Sequence, residues 1–132
     1  FGETVLVDCH SMPHEALDAV VHPHGVRPEI VLGDRFGAAA RNDVVDRVEA
    51  AFADAGLCVV RNAPFAGAYT TQHYGRPSRG QHVLQIAIDR SLYMNENTIR
   101  PNANFRAFKE VMDRVVADIS DVGRRDLALA AE

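Results

Sequence analysis

A strand, an amphipathic helix and a second strand follow one another between Glu29 and Val60, and this succession narrows the fold more than anything else in the chain. Glu29-Ile30-Val31-Leu32-Gly33-Asp34 reads as a short buried strand closed by Gly33 and Asp34. From Ala39 to Ala55 a helix sets Val44, Val45, Val48, Ala51, Phe52 and Ala55 on one stripe. Asp43, Asp46, Arg47, Glu49 and Asp54 face away from it, and Gly56 is its stop. Leu57-Cys58-Val59-Val60 then resumes an unbroken apolar run. Strand, helix and strand joined in a right-handed crossover predict an α/β fold.

Two further strands extend the pattern. Val5 to Cys9 belongs to an apolar run, Thr4-Val5-Leu6-Val7, that ends in Asp8, Cys9, His10 and Ser11. Three consecutive branched residues predict a strand buried on both faces, with the polar cluster at its end. Val83 to Ile88 alternates Leu84, Ile86 and Ile88 with Gln85, Ala87 and Asp89, so one face is core and the other milder, as beside a site. A last helix from Asn104 to Ile119 carries Phe105, Phe108, Val111, Met112, Val115 and Ile119 on its stripe. Gly123 should break it before a helical tail, residues 124 to 132. Arg90 to Asn97 makes a turn or short helix. The fold expected is therefore an α/β sheet flanked by helices.

At 132 residues, 47% hydrophobic and 24% charged, the chain is one globular domain's worth of sequence. A net charge of -4 with scattered basic residues argues against a nucleic-acid partner. No apolar run is long enough to span a membrane, and no signal peptide opens the chain. Cys9 and Cys58 fall inside expected buried strands without CxxC spacing, so both should be reduced core thiols, which points to the cytoplasm. The chain has no initiating methionine and enters its first strand almost at once. This reads as the C-terminal part of a longer single domain, truncated at the N-terminus. Such truncation would expose the edge of the Val5 to Cys9 strand and favour a homo-oligomer.

In open α/β sheets ligands gather at strand ends, which directs attention to His10. It is either a metal ligand or acid/base oriented through its second nitrogen, or a strand-end histidine with one partner. The stretch from Arg61 to Gly80 has no apolar period, and a connection of that length is usually functional. It concentrates Asn62, Tyr69, Thr70, Thr71, His73, Tyr74, Arg76 and Arg79 among glycines. Tyr69 and Tyr74 either cap a pocket or fold the loop on itself. Arg76 and Arg79 suit a carboxylate, or are surface arginines. Asn62 is a turn former or a pocket donor. His14, His22 and His24 lie in a Pro-rich loop and read as solvated, and His82 flanks the polar loop. Phosphate-binding glycine motifs and the GxSxG elbow are absent.

Val7-Asp8-Cys9-His10-Ser11-Met12-Pro13, Pro28-Glu29-Ile30-Val31-Leu32-Gly33-Asp34, the run from Asn62 to Pro77, and Gln85-Ile86-Ala87-Ile88-Asp89-Arg90-Ser91-Leu92-Tyr93-Met94 together resemble, in order and spacing, the successive motifs of the N-formylglutamate amidohydrolase family. The resemblance implies an α/β, zinc carboxypeptidase-like (phosphorylase/hydrolase-like) fold, a partly parallel mixed sheet flanked by helices. It also implies zinc-dependent hydrolysis of the formyl amide of N-formyl-L-glutamate, a small-molecule substrate with carboxylates, in histidine breakdown. Zinc in that family is held by a His and a Glu from an earlier segment and by a strand-end His that maps onto His10. The first two have no counterpart in this chain. Ser11, Asn62, Thr70, Thr71, Tyr74 and Arg76 become the substrate-binding candidates. Where the family reads Gln-Ile-Glu, this chain reads Gln85-Ile86-Ala87, so the catalytic carboxylate is unassigned. Asp89 shares the strand face about 6–7 Å along. Three readings follow: an amidohydrolase-like zinc enzyme, a non-catalytic relative that binds an acylated amino acid or a partner, and a bare structural domain. His10, Ser11 and the loop from Asn62 to Arg76 are expected to converge on one cleft at one sheet edge.

Overall fold

A computed structural model describes the backbone of residues 2–130 and the side chains of all these except 23, 123 and 125–130. Six strands and three α-helices follow in the order β1 (Thr4–Met12), β2 (Ile30–Gly33), α1 (Asn42–Asp54), β3 (Val59–Arg61), α2 (Tyr69–Tyr74), β4 (Gln81–Asp89), β5 (Met94–Asn95), β6 (Arg100–Pro101) and α3 (Phe105–Ala130). The main sheet runs β1-β4-β2-β3. β1 is parallel to β4, β2 antiparallel to β4, and β3 parallel to β2. The sheet is mixed and partly parallel, as expected, with the β2-α1-β3 unit as its crossover.

Side-chain alternation divides the sheet into two faces. On one, Ile30, Leu32, Leu84 and Ile86 pack with Val45, Val48 and Phe52 of α1 and Val115 of α3. Both long helices therefore lie on this side, and Phe52 and Val115 are fully buried between them. On the other face Met12, Val31 and Ala87 pack beneath Leu17, which belongs to a turn of 3-10 helix over His14–Leu17.

Several boundaries depart from the sequence-based expectation. β1 reaches Met12, so His10 and Ser11 stay inside the strand instead of beyond its end. β1 is also not buried on both faces. It is an edge strand, Leu6 is 43% exposed, and Cys9 is an exposed free thiol instead of a core one. α1 starts at Asn42, not Ala39, because the preceding turn is tied elsewhere. Val83 N–H donates to Ala39 C=O at 2.9 Å, and Arg41 N–H donates to His82 Nδ1 at 3.1 Å. α3 passes through Gly123 without a break. A helical glycine costs only about 1 kcal/mol relative to alanine, too little to stop a helix that already has a packed stripe. The stretch read as structureless contains α2, six residues long, and a 3-10 turn over Pro77–Arg79. Arg90–Leu92 is the short helix expected there, followed by the β5-β6 hairpin, which carries no apolar signal.

Candidate active site

The pairing register decides which residues meet His10. His10 stands opposite Ala87, Asp8 opposite Gln85, and Met12 opposite Asp89. On the far side of β4, Val31 faces Ala87 and Gly33 faces Gln85. Alternation turns all of these to the face away from the helices. One floor is thus laid out as rows: Asp8, Gln85, Gly33, and above it His10, Ala87, Val31.

His10 is half exposed and anchored within β1, its Nε2 3.0 Å from Asp8 Oδ1. Among the described residues the other ring nitrogen, Nδ1, has no hydrogen-bond partner. This is the arrangement that orients a histidine as a metal ligand or a base. The same carboxylate, after burial as the larger cause, pushes the Cys9 thiol above its ordinary range. Among the described residues no group of three or more His, Cys, Asp or Glu is placed to hold a metal ion. A protein zinc site needs three or four ligands, so these residues do not by themselves fit zinc.

Ala87 presents only a methyl group to the floor beside His10. The nearest carboxylate on β4, Asp89, is buried and engaged: Oδ2 lies 2.7 Å from His14 Nδ1, and Oδ1 accepts from Ser91 N–H at 2.9 Å. Ser91 Oγ also lies 3.1 Å from His14 Nδ1. Serine and carboxylate address the same nitrogen, whereas a Ser-His-Asp relay uses both, so this is a structural cluster and not a nucleophilic triad.

The expected convergence of His10, Ser11 and the whole 62–76 stretch is not observed. Ser11 lies on the opposite face of β1, where its Oγ accepts from Arg90 Nε at 3.1 Å. The stretch leaves β3 at Arg61, level through Leu32 with Ile86 and so one row from Ala87, but two strands across from β4. It returns to the beginning of β4, at the sheet edge remote from His10. Arg76 is bridged to Gln81, six residues before Ala87, about 20 Å along the strand. Tyr74 sits beside it in α2, packed edge-on against His73, which stacks on Tyr69. Asn62 binds Asp34 twice: Nδ2 donates to Oδ1 at 2.8 Å, and Oδ1 accepts from Asp34 N–H at 3.1 Å. Thr71 is buried, its hydroxyl donating to Ala68 C=O at 2.8 Å, and Thr70 next to it is half-buried. Arg76 donates to Gly75 C=O at 2.8 Å.

One part of the stretch does return to the floor. A Cβ on Gly33 would stand 2.6 Å from the carbonyl carbon of Ala66 and 2.7 Å from Gly67 N, so only glycine lets that backbone lie over the row of Gln85. Gln85 itself is a residue that motif reasoning passed over. Its signal was the milder alternate face of β4. His82 is fully buried and structural, with Nδ1 receiving Arg41 N–H and Nε2 at 2.6 Å from Glu3 Oε1. Among the described residues no helix is long and apolar enough to cross a membrane.

Three comparisons bear on this arrangement. Residues 1–94 match the sequence profile described as N-formylglutamate amidohydrolase. An N-formylglutamate deformylase of Pseudomonas aeruginosa is 34% identical over 100 residues, covering 73% of this chain and 35% of its own length. The Pseudomonas putida protein of the same name is 33% identical over the same shares. The crystal structure of N-formylglutamate amidohydrolase from Ralstonia eutropha superposes with a TM-score of 0.80 at 32% identity, over 94% of this chain and 45% of the other. The match thus spans about a third of the length of the curated relatives.

Proposed function

The chain belongs to the N-formylglutamate amidohydrolase family, and from that premise we propose that it forms part of an enzyme cleaving the formyl amide of N-formyl-L-glutamate or a similar N-acyl amino acid. Water adds to the formyl carbon, the C–N bond breaks, and formate and glutamate leave, the amine taking up a proton. In this reading residues 1–132 are the C-terminal part of a single domain of a cytoplasmic enzyme of histidine breakdown. The family match over residues 1–94 carries the proposal, and His10, its Nε2 3.0 Å from Asp8, is the residue it depends on. Zinc is the proposed metal, with His10 the one ligand these residues contribute and the others coming from outside them.

Of the substrate-binding candidates, Thr70 and Tyr74 are proposed as contacts only for a substrate or segment reaching the remote edge. The side chains of Ser11, Asn62, Thr71 and Arg76 already have partners within the chain. Alanine at 87 leaves no carboxylate in register with His10, and Asp89 is engaged by His14 and Ser91. The reaction should therefore be slow.

A second reading, a relative that binds an acylated amino acid without cleaving it, is favoured by the same Ala87. Formate release from N-formyl-L-glutamate by the full-length protein with zinc separates the two. The hydrolase reading expects turnover that His10→Ala abolishes and that Ala87→Glu raises about 10²–10⁴-fold, the usual share of a positioned acid/base. Tight binding with no formate release, and turnover appearing only in Ala87→Glu, is the outcome expected of the second.

A further inference from the structure

Gln85 is 93% buried by residue, being only 7% exposed, and its Oε1 has no hydrogen-bond partner among the described residues. A buried carbonyl oxygen in a protein interior is nearly always paired, so an orphan of this kind marks a missing partner. Its surroundings say what kind. In the sheet Gln85 is flanked by Asp8 on β1 and by Gly33 on β2, against which the backbone of Ala66 and Gly67 lies. Beside the Asp8 carboxylate an anion is repelled, whereas an N–H donor is attracted by both the carboxylate and Oε1.

We propose that Gln85 is a specificity-determining residue of the His10 site, its buried carboxamide reading the amide group of an N-acyl amino acid with Oε1 accepting the amide N–H. This rests on the amidohydrolase reading and extends it to a residue for which neither the family motifs nor the site geometry had supplied a role. The row of Gln85 lies about 6–7 Å below the row of His10 and Ala87. A glutamine side chain plus one hydrogen bond of about 3 Å spans most of that gap. Reading the amide of a substrate at His10 requires the Gln85 side chain to lean along the strand toward that row, where Oε1 would accept the amide N–H. A ligand without the amide leaves Oε1 unpaired, which is how a site built on a hydrogen bond rejects an analogue that lacks the donor.

The test compares binding of N-formyl-L-glutamate and of glutarate, which lacks the formamido group, to the full-length protein and to Gln85→Met, of similar length and apolar. Wild type should prefer N-formyl-L-glutamate by about tenfold or more, and Gln85→Met should lose that preference while its affinity for glutarate stays unchanged. The unliganded variant should also melt higher than wild type, because a buried unpaired group has been replaced by an apolar one. Should Gln85→Met fail to fold, Gln85→Leu gives the same comparison. Equal discrimination in wild type and variant overturns the proposal while leaving the amidohydrolase reading intact. A lowered melting point with unchanged discrimination overturns it too, and assigns Gln85 to packing against another part of the protein. If wild type neither binds nor cleaves N-formyl-L-glutamate, the amidohydrolase reading fails and the role of Gln85 fails with it.

Discussion

Single side chains set the chemistry here through what they are already bonded to. Asp8 lies 3.0 Å from His10 Nε2, and its carboxylate adds to burial, the larger cause, in pushing the neighbouring Cys9 thiol above its ordinary range. Cys9 is exposed, yet at neutral pH it should react with iodoacetamide more slowly than a free peptide cysteine, because the thiolate is the nucleophile. Asp8→Asn should accelerate it, as followed by mass spectrometry. An unchanged rate would mean that Asp8 does not act on the thiol. Gly33 makes a second prediction at this scale. An added methyl would meet Ala66 and Gly67 backbone, so Gly33→Ala should cost about 1–3 kcal/mol in urea unfolding and displace the 66–67 segment from the floor. The polar residues that sequence reading gathered as a pocket behave differently. Asn62 and Thr71 have small polar side chains at chain reversals, where the nearest donors and acceptors are backbone groups and Asp34, and those take them.

At the scale of elements, legibility followed the strength of the periodic signal. β2, β3, β4 and α1 announce themselves because burial on one face or both leaves a repeating apolar pattern, and their pairing follows from the β2-α1-β3 succession. α2 is six residues long with no apolar period and is held by the burial of Thr71 and the Tyr69–His73 stack, neither of which a sequence pattern records. The β1 to β4 register was not legible either. It alone decides that Ala87, and not Asp89, stands opposite His10. The α1-α3 seam should carry much of the stability: Phe52→Ala is expected to cost about 3–5 kcal/mol by denaturant unfolding. A loss below 1 kcal/mol would show that this seam is not the core. β1 presents an unpaired outer edge over nine residues. A polypeptide limited to residues 1–132 should therefore self-associate through it, and Leu6→Lys should shift sedimentation toward monomer.

For the whole molecule, one sheet carries two separate clusters of polar residues. His10, Asp8, Gln85 and the His14–Asp89 pair share a face toward the end where β1 and β4 finish, while α2, Tyr74 and Arg76 occupy the end where β4 begins. A helix-lined groove between α1 and α3, bordered by Arg47, Asp54, Asp118 and Asp121, lies on the opposite side of the sheet from His10. Family membership and the position of His10 together make the account depend on ligands beyond residues 1–132, because the described residues bring no second or third metal-binding group to His10. The most direct test is formate release from N-formyl-L-glutamate, with added zinc, by the full-length protein and by residues 1–132 side by side. Slow turnover by the full-length protein, lost in His10→Ala, and none above background from residues 1–132 is the result expected. Turnover by residues 1–132 alone would contradict it, since a complete site would then have to exist among residues that the fold keeps apart.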